Sequence, residues 1–362
     1  MDRIPRRRPF LRRARFRFSA CLLTLLRLLI DFFVRGMAAV CSTAGQKACL
    51  RFHGDTQQLR SRNPAPPVQE RLALPPTLQA GDRSCYMRSV RLCVLASGSG
   101  GNCLWVDAGA TRILIDAGLP LRHTARRCRS AGLDVRDLTD VFLTHEHADH
   151  SHAAGIFGRR LGVRVHATRG TMRALRDPPP EELRCAVRAG VPVELAGLTV
   201  TPIALPHDAH EPVAYVVDDG ATRAAVLTDL GSVTPGIVRA LRNLDALVLE
   251  MNHDVRMLIE GPYPWSLKQR IRGGRGHLSN EQGARLLQDV LHGGLRYLVL
   301  AHLSEHNNTE SHARRAAERV LEQHGSRARV CIGSQARALD PVLLEPSRAV
   351  PLRKARQLAL FG

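Results

Sequence analysis

From residue 90 onward, short β-branched and apolar runs alternate with stretches whose apolar positions recur every three to four residues. Runs of this kind bounded by Gly, Pro, Asp or Asn mark strands buried in a sheet, and the longer period marks helices with one apolar face. The pattern predicts strands over 90–95, 104–106, 112–115, 140–143, 163–166, 198–205, 213–217, 224–227, 246–249, 297–301 and 328–332. Helices are predicted over 120–131, 151–161, 170–176, 235–243, 280–291 and 309–324. Two of them carry a capping-box start: Gln282 stands three residues after Ser279, and Glu310 three after Asn307. Strands interleaved with helices predict a mixed, layered α/β domain.

Residues 1–86 read differently. An arginine-rich opening (Arg6, Arg7, Arg8, Arg12, Arg13) precedes an apolar stretch over 20–40 that Arg27, Asp31 and Arg35 interrupt. About 20 uninterrupted apolar residues are needed to cross a bilayer, so no membrane helix is expected. No small-residue cleavage site follows that stretch, and 57–82 is polar and proline-rich, as linkers are. Three origins fit this composition: an unstructured extension, sequence upstream of a true start at Met87, or a targeting or nucleic-acid-binding arm. The expected organisation is therefore an extension over 1–86, a catalytic domain over 87–335 and a flexible tail over 336–362.

Charge sharpens that division. The whole chain carries a formal +19, which points to an acidic polymer or surface. Residues 1–86 hold 16 basic and 5 acidic residues, so more than half of the excess lies outside the predicted domain. The nine cysteines include no Cys-x-x-Cys pair, and a chain of 362 residues needs no disulfide staples, so a reducing cytoplasm is expected.

The chemistry concentrates in Thr144-His145-Glu146-His147-Ala148-Asp149-His150, between an apolar strand and a helix. Three imidazoles and an aspartate within six residues are natural ligands for a borderline divalent cation. Further candidates stand at the ends of apolar runs: His207 after 200–205, Asp229 after 225–227 and His302 after 298–301.

With these residues in this order, the chain from Met87 to about Gly333 resembles the metallo-β-lactamase fold superfamily. The resemblance implies an αββα sandwich with a dinuclear site at the edge of its two sheets. One ion would take His145, His147 and His207, the other Asp149, His150 and His302, with Asp229 bridging. Asp116, after the run 113–115, resembles the aspartate that orients a ligand histidine from behind. Two ions about 3.5 to 4 Å apart suit hydrolysis. Zinc, manganese and iron all accept such ligands.

Aspartate at position 229 and the absence of an export signal set the chain apart from the secreted lactamases of that fold, and leave a glyoxalase-type thioesterase open. Other stretches point to nucleic acid. Ser97-Gly98-Ser99-Gly100-Gly101-Asn102 either presents backbone N–H groups to a phosphate or is a plain tight turn. Glu250-Met251-Asn252-His253-Asp254, then Tyr263 and Trp265 with Lys268, Arg270, Arg272 and Arg275, make either an insertion of exposed aromatics and cations suited to gripping a strand or a solvated basic loop. With Gly276-His277-Leu278-Ser279-Asn280 and His302-Leu303-Ser304-Glu305-His306-Asn307-Asn308, these stretches resemble the YycJ/WalJ family of bacterial exonucleases, cousins of the tRNA 3′-processing endonuclease.

That resemblance implies 5′ to 3′ degradation of double-stranded DNA, with His277 and Asp149 catalytic, His277 as the acid. Ser97, Ser99, Asn102, Ser279, Asn280 and Asn308 would then line the phosphate path with the four cations. The tail Gln357-Leu358-Ala359-Leu360-Phe361 resembles the pentapeptide by which bacterial repair proteins dock on the sliding clamp, with Gln357, Leu358, Leu360 and Phe361 as anchors. The expected protein is a two-metal hydrolase of DNA that acts in repair. The alternatives are an RNA-processing endonuclease, a small-molecule thioesterase, and a non-catalytic adaptor with a structural metal.

Overall fold

The computed structural model describes residues 89–346; the arginine-rich opening and the clamp-like tail residues lie outside them. Among the described residues, fourteen strands form two seven-stranded sheets. The first contains β1 (Val90–Ala96), β2 (Cys103–Ala108), β3 (Thr111–Ile115), β4 (Asp140–Phe142), β5 (Arg164–Thr168), β6 (Arg184–Val187) and β14 (Val342–Leu344), in the order β14-β1-β2-β3-β4-β5-β6. The second contains β7 (Val193–Leu195), β8 (Leu198–Ala204), β9 (Val213–Asp218), β10 (Arg223–Leu227), β11 (Ala246–Glu250), β12 (Tyr297–Ala301) and β13 (Arg329–Ile332), in the order β13-β12-β11-β10-β9-β8-β7. In each sheet an antiparallel portion runs into a parallel one: β3 to β6 in the first, β10 to β13 in the second.

Strand residues alternate between two cores, because successive side chains point to opposite faces. Leu104, Val106, Ile113, Ile115 and Phe142 of the first sheet meet Val200, Tyr215, Val226 and Val248 of the second between the layers. On the outer face of the first sheet, Trp105 and Leu114 pack under Cys128 and Phe157 of the helices Leu121–Ser130 and Ala154–Leu161. On the outer face of the second, Leu247, Leu249 and Leu298 meet Leu286, Leu287, Ala313 and Ala317 of Asn280–Val290 and Glu310–Gln323. The architecture is the expected αββα sandwich. Burial on both faces explains why these strands read as continuous apolar runs.

Several elements differ from expectation. The chain does not leave the fold at residue 336: Leu339 N donates to Val94 O at 2.9 Å, and Val342–Leu344 pairs antiparallel with β1. That three-residue strand sits between Pro341 and Pro346, on an edge where proline is tolerated, and is too short to show a period. The strands β6 and β7 also lie outside the predicted set. The stretch expected as an insertion folds into two helices, Val255–Glu260 and Trp265–Arg272. The capping box at Ser279 and Gln282 forms, whereas the last helix is capped by Thr309 rather than Asn307, whose side chain is buried.

Candidate active site

The candidate ligands converge because each follows the carboxyl end of a strand, where open α/β sheets gather functional groups. Asp116 follows β3, the histidine cluster β4, His207 β8, Asp229 β10 and His302 β12. Asp116, Asp229 and His302 have positive φ, at 64°, 58° and 54°. Left-handed backbone costs a non-glycine residue about 1–2 kcal/mol. All three stand just past a strand end, where the chain turns off the sheet. Asp149 and His150 lie on the helical turn Ala148–Ser151, whose N-cap is His147.

His145, His147 and His207 place ligand atoms within 4.8 Å of one another, and so do Asp149, His150 and His302. Asp229 falls within that limit of His145 and His150 on one side and of His302 on the other. Its Oδ2 is 2.9 Å from His150 Nε2, and its Oδ1 is 3.9 Å from His207 Nε2 and 3.6 Å from His302 Nδ1.

Most of the imidazoles are held from behind. His150 Nδ1 lies 2.7 Å from Asp116 Oδ2, so the buried carboxylate accepts its N–H. Thr144 Oγ1 donates to Asp116 at 2.9 Å and stands 3.0 Å from His145 Nδ1, a relay that fixes a second ring through the same aspartate. His207 Nδ1 donates to Gly276 O at 3.1 Å. His302 Nδ1 donates to Glu250 Oε1 at 3.1 Å, and its backbone N–H to Ser97 Oγ at 2.7 Å. With Nδ1 occupied, each ring offers Nε2 toward the cluster.

The donor set fits divalent cations. The Nε2 atoms of His207 and His302 are buried without a hydrogen-bond partner, which is costly for a polar atom unless an ion meets it. Burial holds the pKa values of His145 and His207 below the ordinary imidazole range, so these rings are neutral and ready to coordinate. His302 behaves differently: burial opposes its charge, yet Asp229, Asp149 and Glu250 lift its pKa to about 10. Asp149 is held low, because His150 and His302 outweigh its burial.

Glu250, at the end of β11, opens the stretch expected to meet nucleic acid but instead stands behind the imidazoles, a place its sequence position does not reveal. It is fully buried. Its Oε1 accepts from His277 Nδ1 at 2.8 Å as well as from His302, and its Oε2 accepts from the backbone N–H groups of Leu230 and Leu278 at 2.8 and 3.2 Å. Burial alone would raise its pKa, but His277 and His302 pull it down to about 2. In return, the His277 pKa is raised: burial opposes the charge and Glu250 outweighs it. His277 lies with its ring 5.3 Å from His207 and 5.2 Å from His302.

A family model for a beta-lactamase superfamily domain matches residues 111–303. Exodeoxyribonuclease YycJ of Bacillus anthracis is 35% identical over 235 residues, 64% of this chain and 89% of its own. Exodeoxyribonuclease WalJ of Streptococcus pneumoniae is 30% identical over 264 residues, 72% of this chain and 96% of its own. The chain belongs to the YycJ/WalJ exodeoxyribonuclease family, within the beta-lactamase superfamily. This YycJ/WalJ chain is a metal-dependent hydrolase. Two solved structures share the fold at 18% identity, each over 69% of this chain and 99% of its own: YhfI of Bacillus subtilis, with a TM-score of 0.54, and Zn(2+)-bound PqqB of Methylobacterium extorquens, with 0.52.

The YycJ/WalJ chain keeps fewer free side chains along the expected phosphate path than its residue types suggest. Lys268 is buried, and its Nζ donates to the carbonyls of Ile259 and Gly261, both at 2.7 Å. It closes the helix Val255–Glu260 onto Trp265–Arg272 and does not face solvent. Asn280 and Asn308 form a buried reciprocal amide pair, 2.9 Å in each direction. Ser279 caps its helix, Ser97 holds His302, and Asn102 is buried with its amide nitrogen 3.0 Å from His150 Nε2.

The glycine loop is a tight turn: the N–H groups of Gly98, Gly100 and Gly101 are accepted by Asn102, Gln335 and Gly98. Ser99, Arg270, Arg272 and Arg275 are not buried in the way Lys268 is: Ser99 and Arg270 are exposed and Arg272 is exposed at the helix end, while Arg275 reaches the surface from the loop before His277. Arg270 pairs with Asp208, and Arg275 Nε donates to His207 O at 3.2 Å, so both sit at the rim of the cluster. Trp265 is 58% exposed, but Tyr263 is half-buried, edge-on to His306, so one aromatic rather than two is freely presented.

Proposed function

We propose that this chain is a two-metal phosphodiesterase that degrades double-stranded DNA from the 5′ end in DNA repair. The observation that carries the reading is the pairing of His277 with buried Glu250 beside a complete set of seven candidate ligands. His145, His147 and His207 would hold one ion, Asp149, His150 and His302 the other, with Asp229 shared. Zinc or manganese suits this set, and iron does also. When bound, the ions supply Lewis acidity toward a phosphate oxygen and lower the pKa of water.

The protein's own groups do the rest. Asp116, Thr144, Gly276 and Glu250 orient the ligand imidazoles. Glu250 takes the Nδ1 proton of His277 in a hydrogen bond, leaving Nε2 to give a proton to a departing oxygen. Asp149 and Asp229 orient the attacking group. Ser99, Arg270, Arg272 and Arg275 remain to meet phosphates, with Trp265 as a stacking surface. The names of the two relatives favour DNA over other diesters.

The tail residues Gln357, Leu358, Leu360 and Phe361 would bind the sliding clamp and bring the nuclease to replicating DNA. A cytoplasmic setting fits this role, and among the described residues no helix is long and apolar enough to cross a membrane.

The test compares wild type and Asp149→Ala, loaded with manganese or zinc, on 5′-phosphorylated duplex DNA, precursor tRNA and a glutathione thioester. Release of nucleotides from the duplex by wild type alone is expected. Preference for precursor tRNA or the thioester, or equal cleavage by the variant, overturns the reading. Leu360→Ala with Phe361→Ala should abolish co-elution with the clamp and spare cleavage of naked DNA.

A further inference from the structure

A groove of about 670 Å³ opens between the helices Pro235–Ala240 and Asn280–Val290. The apolar part of its lining that reaches solvent, its floor, is Val233, Pro235 and Val238, whereas Leu278 and Leu286 are fully buried. Arg239, Arg242 and Arg285 stand in its lining. Among the described residues none of these guanidinium groups has an ion-pair or hydrogen-bond partner, unlike Arg270 and Arg275. Asp289 is the one carboxylate in the lining, so the groove is basic overall.

The groove adjoins the active site. Ser232, in its wall, donates to Gly274 O at 3.0 Å, and Leu278 is the chain neighbour of His277. Gly231 packs so tightly on the segment before His277 that a Cβ there would stand 2.5 Å from Arg275 N and Gly276 N. The groove wall and the loop that delivers His277 are thus one packed unit.

Cations spread over two helices do not converge on a point, as they would to hold a small anion. They suit a chain of phosphates, and the apolar floor between them suits the faces of unstacked bases. A duplex, with its bases stacked inside, has no use for that floor. We propose that the groove holds a single DNA strand as it leaves the duplex, with phosphates on Arg239, Arg242 and Arg285 and bases over Val233 and Val238. The inference rests on the nuclease reading above and assigns the track by which that site holds its substrate.

The test uses the full-length, metal-loaded chain and the variant Arg239→Ala/Arg242→Ala/Arg285→Ala, none of whose positions belongs to the metal cluster or the His277 pair. Binding of blunt duplex and of duplex with a single-stranded overhang is measured across a salt series, together with hydrolysis of bis(4-nitrophenyl) phosphate. The variant should hydrolyse the small diester at the wild-type rate and lose roughly 10- to 100-fold in affinity for the overhang substrate. Its slope of log K against log salt should fall by about 2, the loss of three single-strand phosphate contacts. Blunt duplex should lose less. Unchanged affinity and slope, or equal losses on the two DNAs, overturn the groove assignment while wild type still degrades DNA. A wild type that hydrolyses the small diester but no DNA overturns the nuclease reading instead.

Discussion

Glu250→Gln is the sharpest perturbation of this site, because each carboxylate oxygen accepts two hydrogen bonds. Oε1 meets the Nδ1–H groups of His277 and His302, and Oε2 the backbone N–H groups of Leu230 and Leu278. An amide has nearly the same shape but must turn its NH2 toward one of these two pairs. Either way two buried donors lose their acceptor, at about 1–3 kcal/mol each, or about 2–6 kcal/mol in all. Against a typical stability of about 5–15 kcal/mol, that is a large fall in Tm.

The rate should fall as well, since a positioned acid contributes about 10²-fold or more. Degradation of duplex DNA is therefore expected to drop by at least about 100-fold in kcat, with KM nearly unchanged, because Glu250 meets no substrate. Bound metal, measured by mass spectrometry, reports separately on His302. His277→Asn guards against a folding artefact: it removes the acid while leaving the carboxylate, so it should lose the rate with a smaller loss of Tm. The double variant should be no slower than the slower single, as expected for two residues acting in one step. A Glu250→Gln variant with wild-type rate and wild-type Tm would refute the assignment.

Three further outcomes follow from the geometry. Gly118→Ala places a Cβ 1.8 Å from Asp149 O and 2.7 Å from Asn102 N, so the ligand turn must move by about 1 Å or more; a loss of about 100-fold in activity is expected, and a fully active variant would contradict it. Asn280→Ala and Asn308→Ala should each cost about 1–3 kcal/mol in denaturant titrations, the double less than the sum, with KM for DNA unchanged. A raised KM at wild-type stability would return both to the phosphate path. Asp140 sits 2.7 Å from His166 Nε2 and 2.8 Å from Arg164 Nε, and these bonds outweigh its burial to hold its pKa below 3.8. A depressed carboxylate stabilises the fold above its unfolded pKa and loses that effect as pH falls through the folded value. The gap in urea midpoint between wild type and Asp140→Asn should therefore be steady near neutrality and narrow below about pH 3.8; a gap constant down to acid pH would count against it.

Much of the site is legible because its chemistry is contiguous. His145, His147, Asp149 and His150 stand within six residues, and His207, Asp229 and His302 each break off an apolar run that could only be a buried strand. Glu250 follows the same rule, ending Ala246–Glu250, yet a lone acid at a strand end does not announce what it faces. Lys268, Asn280 and Asn308 mislead for a related reason: residue type specifies a donor or an acceptor, not the side from which it is met. Asn280 finds its partner 28 positions away, and Lys268 finds carbonyls at a junction of two helices that the pattern reads as a loop. The sequence of Trp265–Arg272 is mostly polar, and its one buried residue is that lysine, so no apolar stripe marks it as a helix.

The misplaced polar groups and the ligand cluster belong to one arrangement. Asp116, leaving the first sheet, fixes His150 and, through Thr144, His145; Glu250, ending a strand of the second, fixes His302 and His277. Each half of the site is thus pinned by its own buried carboxylate, and among the hydrogen bonds that cross between the sheets, three lie near the ligands and hold the halves in register. Ser97 accepts from His302 N, Tyr215 donates to Leu143 O, and Val213 N donates to Thr144 O. These crossings lie close to the ligands and the groups that orient them, so relative sliding of the sheets would separate Asp149 and His150 from Asp229 and His302. A site divided in this way needs a stiff contact between the layers. That requirement accounts for the burial of Thr144 and for that of Ser97, which the sequence pattern alone would place in a substrate channel.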